Sequence, residues 1–124
     1  MEIIGPLQVR VMHHIWRKGA STVHEVHDAV NAEPGAKQLA YTTILTVMRN
    51  LVRRGFLGQK PEGRAHRFNA KVDERTYKLD MVRHIRKELF AGDVDQLLAY
   101  VAQDEEIPAT KRDAVARLGA GSAA

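Results

Sequence analysis

LAYTTILTVMRNLVRRGFL, residues Leu39–Leu57, sorts its side chains onto two sides of a helix. At about 100° per residue, Ile44, Val47, Met48, Leu51 and Val52 fall on one side. Thr42, Thr46, Arg49 and Arg53 fall on the other, flanked by Thr43 and Asn50, with Leu45 on the border. A helix that only covers a core has no use for an outward face of threonines, an asparagine and arginines. Gly55 closes the helix at the usual C-terminal glycine position.

Two helices are expected before it. Pro6 suits a first helical turn, where its missing N–H would be unpaired anyway. Leu7, Val11, Met12, Ile15 and Trp16 then recur at helical spacing up to Gly19. In STVHEVHDAVNAEPG, residues 21–35, Thr22 and Glu25 have the reciprocal capping-box spacing. Val23, Val26 and Val30 make one narrow apolar stripe, and Pro34-Gly35 stops the helix. After the quoted stretch comes FLGQKPEGRAHRFNA, residues 56–70. It reads as a β-hairpin, Phe56–Lys60 and Arg64–Asn69 around a type I turn at Pro61-Glu62-Gly63. Strand alternation puts Arg64 and His66 on the opposite side from Arg67.

The charge agrees with this layout. The net charge is +4, but residues 37–71 carry eight basic side chains against Glu62 alone. Such a block fits a polyanionic partner. Three helices and a basic hairpin are the plan of a winged helix-turn-helix, with its third helix free to enter a major groove. Thr42, Thr43, Thr46 and Asn50 are the candidates for base edges, and Arg49 and Arg53 for bases or phosphates. Arg54, Arg64 and Arg67 are candidates for phosphates, with His66 beside them on the wing.

Beyond Asn69 the chain is near neutral. Asp73 can cap a helix carrying Tyr77, Met81, Val82, Ile85 and Leu89, with Gly92 at its end. Asp93 and Gln96 repeat the capping-box spacing before Leu97, Leu98 and Val101, and a short helix after Pro108 carries Val115 and Leu118. These stripes exceed what a small winged domain can cover, so a second copy of the segment is the expected cover. The expected interface residues are Tyr77, Met81, Ile85, Leu89, Leu97, Leu98, Val101 and Leu118. A two-fold dimer would match a palindromic site. The fold class is therefore mainly α with a small β-hairpin wing. The expected divisions are a DNA-binding domain over 1–71, a helical dimerisation segment over 72–118 and a flexible tail over 119–124.

Other classes find little support. The chain has 124 residues, 44% hydrophobic and 27% charged, a globular balance. It has no cysteine, which excludes disulfides, thiolate metal sites and a cysteine nucleophile and points to the cytoplasm. The N-terminus lacks a signal-peptide pattern, and no apolar run is long enough to span a membrane. No nucleophile elbow, paired-carboxylate motif or phosphate-cradling glycine loop is present, so neither an enzyme nor a cofactor is expected. His24, His27 and Asp28 have a workable spacing for a metal, set against the plainer reading of a solvated helix side. A metal- or ligand-sensing regulator and a winged-helix protein-interaction module are the rival readings. A protein-docking face would expose aromatics rather than threonine and arginine.

AYTTILTVMRNLVRRGFL, followed by GRAHRF at residues 63–68, resembles the BlaI/MecI-type penicillinase-repressor family, which includes copper-responsive repressors. The resemblance implies a homodimeric repressor of transcription on a palindromic operator, acting in antibiotic-resistance regulation. Thr43 and Thr46 match the family's recognition-helix threonines, and Arg64, His66 and Arg67 match its wing. It also implies a membrane sensor-protease system as a partner, relieving repression by cutting the C-terminal segment. Two departures stand out. Ala99-Tyr100 replaces an Asn-Phe pair where β-lactam-responsive members are cut, and the cysteine-rich end of the copper-responsive members is missing.

Overall fold

The structure, a computed structural model, describes residues 3–122. In chain order the elements are α1 (Pro6–Lys18), β1 (Ser21–Thr22), α2 (Val23–Asn31), α3 (Tyr41–Arg53), β2 (Leu57–Glu62), β3 (Ala65–Ala70), α4 (Glu74–Leu89), α5 (Val94–Val101) and α6 (Ala109–Ser122). The chain divides into two compact units, one through Lys78 and one from Leu79 on.

The first unit is a three-helix core with a small antiparallel sheet, in strand order β1-β3-β2. Its helices meet through the stripes read from periodicity. Val11, Met12 and Ile15 of α1, Val23, Val26 and Val30 of α2, and Ile44, Met48 and Leu51 of α3 are buried, with Phe56, Leu57 and Phe68 beneath the sheet. Each such side chain contributes about 1.5–3 kcal/mol by leaving water. Val47 and Val52 flank the α3 stripe half-buried. At the end of α3, Gly55 takes φ 84°, which a side chain would resist. The Phe56 N–H then donates to Leu51 O at 2.9 Å and the Gly55 N–H to Val52 O at 3.1 Å, a Schellman closure that turns the chain into β2.

At the start of α2 both halves of the capping box form. The Glu25 N–H donates to Thr22 Oγ1, and the Thr22 N–H donates to Glu25 Oε1, each at 3.1 Å. The hydrogen bonds from Thr22 hold the Glu25 carboxyl below the usual carboxylate range, with Arg67 adding to the effect. A depressed carboxylate stabilises the fold above its ordinary range, and that contribution is lost as pH falls through the lowered one.

Three features differ from the sequence reading. Thr22 is both N-cap and strand, since Ser21 pairs with Phe68 and Thr22 with Arg67 to make β1 a third strand. The hairpin loop is not Pro61-Glu62-Gly63. Pro61 pairs with His66 and Glu62 with Ala65, leaving Gly63-Arg64 as a two-residue loop. Gly63, at φ 61°, fits the first central position of a type II′ turn, which matches strand twist better than type I. Pro61 is tolerated because β2 is an edge strand. Finally, α6 runs on past Gly119 as far as Ser122, into the stretch expected as a tail, of which residues 123–124 lie outside the described residues. Gly119 lies against α5, where a Cβ would come within 3.7 Å of Asp95 O.

In the second unit, α5 and α6 pack on each other, and the rings of Phe90 and Tyr100 stand 5.4 Å apart. Asp93 caps α5 by accepting from the N–H groups of Asp95 (3.0 Å) and Gln96 (3.3 Å). Its own N–H goes to Phe90 O at 2.8 Å rather than to Gln96, so only half of the capping box forms.

Candidate nucleic-acid interface

The turn between α2 and α3 is fixed by side chains. The Leu39 N–H donates to Asn31 Oδ1 at 2.8 Å, while Asn31 Nδ2 donates to Leu39 O at 3.0 Å. His27 Nε2 lies 2.9 Å from the same carbonyl, and Gln38 Nε2 donates to Asn31 O at 3.0 Å. α3 therefore starts from a clamped residue. Its N-cap, Ala40, offers no side-chain acceptor, and no acidic residue sits in the first turn. That end of the helix presents its N–H groups and partial positive charge without a competing carboxylate.

Along α3, Thr42, Thr43, Thr46, Arg49 and Arg53 are all exposed. On the wing, Arg64 and His66 are exposed too. The structure brings part of this set together. Arg49 of α3 and Arg64 and His66 of the wing share the rim of one groove of about 400 Å³. Tyr41, Leu45, Val23 and Phe68 line its apolar part. Hydroxyl, methyl and guanidinium groups on one helix, beside a guanidinium and an imidazole on a hairpin, can address both base edges and phosphates.

Three expected residues lie apart from this set. Asn50 is half-buried and turns its Oδ1 inward, where it meets no donor among the described residues. Arg54 donates to Ile3 O at 3.0 Å and lies 5.8 Å over the Phe56 ring, tying down the N-terminal segment. Arg67, on the far side of the hairpin, donates to Glu62 Oε2 and to Ala20 O, each at 2.9 Å, and reaches Glu25 at 3.2 Å. The hydrogen bond to Glu62 leads in raising its pKa above the ordinary arginine value. Arg67 thus locks β1, the α2 cap and the wing together. Each partner is distant in sequence or across the sheet, so composition carried no signal of it.

As for a metal, His24 Nε2 lies 3.4 Å from Asp28, while His27 is committed to Leu39 through Nε2. Among the described residues no group of three or more His, Cys, Asp or Glu is arranged to hold an ion. No helix among them is long and apolar enough to cross a membrane.

The expected interface residues also separate. Tyr77 is a correction: it is buried in the first unit, 6% exposed, where its Oη accepts from the Ile4 N–H at 3.3 Å. Its ring packs on Trp16 and edge-on against Phe56, at 5.8 and 5.7 Å. Trp16 in turn donates from Nε1 to Val72 O at 2.9 Å, so the first unit has a use for residues beyond its expected boundary. Met81, Leu97, Leu98 and Val101 are half-buried, and Ile85, Leu89 and Leu118 are exposed. The periodicity also holds Leu79, Val82, Val94 and Tyr100, all exposed, which the expected set left out.

Comparison with known proteins places residues 4–119 in the penicillinase repressor family. The chain is 35% identical over 121 residues to the transcriptional regulator BlaI from two strains of Mycobacterium tuberculosis, spanning 97% of this chain and 77% of that protein. Among solved structures it is similar to the DNA-binding domain of the repressor BlaI in solution, with 26% identity and a TM-score of 0.52. That match covers 60% of this chain and 87% of the other. It is also similar to Bacillus licheniformis BlaI, solved in monomeric form in complex with the blaP half-operator. There the identity is 25% and the TM-score 0.51, over 61% of this chain and 89% of the other.

Proposed function

The chain belongs to the penicillinase-repressor family of DNA-binding, winged-helix transcriptional repressors, and from that premise we propose that it works as a homodimer on a palindromic operator. α3 enters the major groove of each half-site, with Thr42, Thr43 and Thr46 toward base edges and Arg49 and Arg53 toward bases or phosphates. Arg64 and His66 take the flanking phosphates. The observation that carries this reading is the exposed threonine–arginine face of α3 beside the cationic wing. The half-operator complex of the Bacillus licheniformis relative supports DNA as the partner.

Support for the dimer comes from the second unit. Leu79, Val82, Ile85, Leu89, Val94, Tyr100 and Leu118 are all at least 42% exposed. So much apolar surface on one small unit marks an interaction site, and a second copy of the chain is the partner that also matches a palindrome. Repression is relieved by cutting or loosening this segment, with a membrane sensor-protease system as the agent. The Ala99–Tyr100 bond lies inside α5, so cleavage there would first require that helix to open.

Binding titrations across salt concentration test the reading. If about five to eight cations per dimer neutralise phosphates, the log–log slope is roughly −4 to −7. Arg64→Ala should weaken all sequences alike and flatten the slope by about one for each phosphate left without its cation. Thr46→Ala should instead relax preference at one position of each half-site, by about 1 kcal/mol per base touched. A flat salt response, or equal affinity for every duplex in a selection, would overturn the proposal.

A further inference from the structure

Tyr41 lies outside the set of threonines and cations proposed above to touch DNA. It is the first residue of α3 and stands 45% exposed beside the threonine–arginine face. The ring is nevertheless held. His27 meets it edge-on at 6.0 Å and 62°, and His24 is tilted against it at 6.5 Å. His27 is itself anchored at Leu39 O. One turn further along α3, Leu45 lies half-buried in the same groove, backed by the buried Val23 and Phe68 and bordered by Thr22 and Gln59. Arg49, Arg64 and His66 stand at the rim.

Tyr41 and Leu45 are the accessible apolar surface of this groove, and Arg49 and Arg64 stand over them. The guanidinium groups call for a polyanion rather than an apolar peptide, and the Tyr41–Leu45 pair favours one that brings an apolar group. In a DNA major groove the apolar group on a base edge is the 5-methyl of thymine. We propose that Tyr41 and Leu45 form a thymine-reading edge of the recognition helix, with His24 and His27 as positioning residues that hold the ring. This rests on the operator-binding reading above and adds a specificity element to it. A ring already fixed by its neighbours loses little freedom on binding, so its contact is not offset by an ordering cost.

Deoxyuridine tests this directly, because it removes only the methyl and keeps every hydrogen bond of thymine. In a selected operator, thymines are replaced one at a time and the affinity of the full-length protein is measured. At one position per half-site, wild type should lose about fourfold, the worth of burying one methyl-sized group. Tyr41→Ala should abolish that penalty, Thr46→Ala should retain it, and Tyr41→Phe should behave as wild type because the ring makes the contact. Thermal unfolding of Tyr41→Ala confirms that the exposed site leaves the fold intact. A penalty untouched by Tyr41→Ala and Leu45→Ala overturns the inference. So does a Tyr41→Ala loss equal on all duplexes, which would put the ring against backbone sugars. Both results leave the operator-binding reading standing, whereas wild type showing no sequence preference would fail that reading itself.

Discussion

A chain ending at Lys78 is expected to stay folded, to be monomeric, and to bind the full operator about 10²–10⁴ more weakly than the intact protein. It keeps every side chain proposed to touch DNA. It also keeps Tyr77 and the Trp16–Val72 hydrogen bond, both of which a chain ending at the expected boundary, residue 71, would lose. What it loses is the tether. With two winged units joined, binding of the first raises the effective concentration of the second at its half-site, and separate units have no such gain. Val82→Asp combined with Leu89→Asp should act in the same direction, since both residues are largely exposed and a carboxylate would be buried only if a second copy covered them. Sedimentation and a binding titration on each variant decide the matter. A shortened chain that still dimerises, or binds the whole operator undiminished, rules the mechanism out.

Tyr77→Ala is expected to cost about 3–5 kcal/mol of stability, the usual range for emptying a buried aromatic site. In a domain of this size each kcal/mol moves Tm by roughly 4–8 °C, so the transition should fall far below that of wild type. Tyr77→Phe keeps the packing on Trp16 and Phe56 and gives up only the hydrogen bond from Ile4, costing about 1 kcal/mol. Neither change should alter self-association at a temperature where the variant is folded. Normal stability with weakened association in Tyr77→Ala would return this residue to the interface, where its helical spacing with Met81 first put it.

That contrast shows what periodicity can and cannot say. The stripe through α3 was legible because a helix repeats its buried face every three or four residues, and Ile44, Met48 and Leu51 are its buried members. The valines of α2 and the capping box at Thr22 were legible for the same local reason. A stripe does not name its partner, however. Tyr77 shares an apolar pattern with Ile85 and Leu89, yet it enters a core made by residues from Ile4 to Phe56. β1 was out of reach because two residues hold no alternation, and their pairing depends on β3 about 45 positions later. The hairpin loop lies one step from where spacing puts it, because Pro61 belongs to an edge strand and Gly63 alone needs its positive φ.

The candidate site divides along the same line. Exposed positions on a single helix, from Thr42 to Arg53, follow from residue spacing. The arginines do not, because charge alone cannot tell which of them already has a carboxylate or carbonyl. Arg64 stands exposed at the groove, whereas Arg67 is bound to Glu62 and Arg54 to Ile3, a residue 51 positions away. Tyr41 is illegible in the sequence for the opposite reason. Its meaning lies in the imidazoles behind it, which come from another helix.

Pro61, finally, sets where this protein can meet itself. A sheet with a bare edge is a template on which another chain can lay a strand, and growth by that route leads to aggregates of no fixed size. Here β2 is the longer open edge, and its outer half carries Lys60 and Pro61, a charge and a residue without an amide hydrogen. The opposite edge is β1, only two residues long. Strand addition is thus discouraged on both sides, so the dimer proposed above would rest on the helices of the second unit, an association that closes on itself.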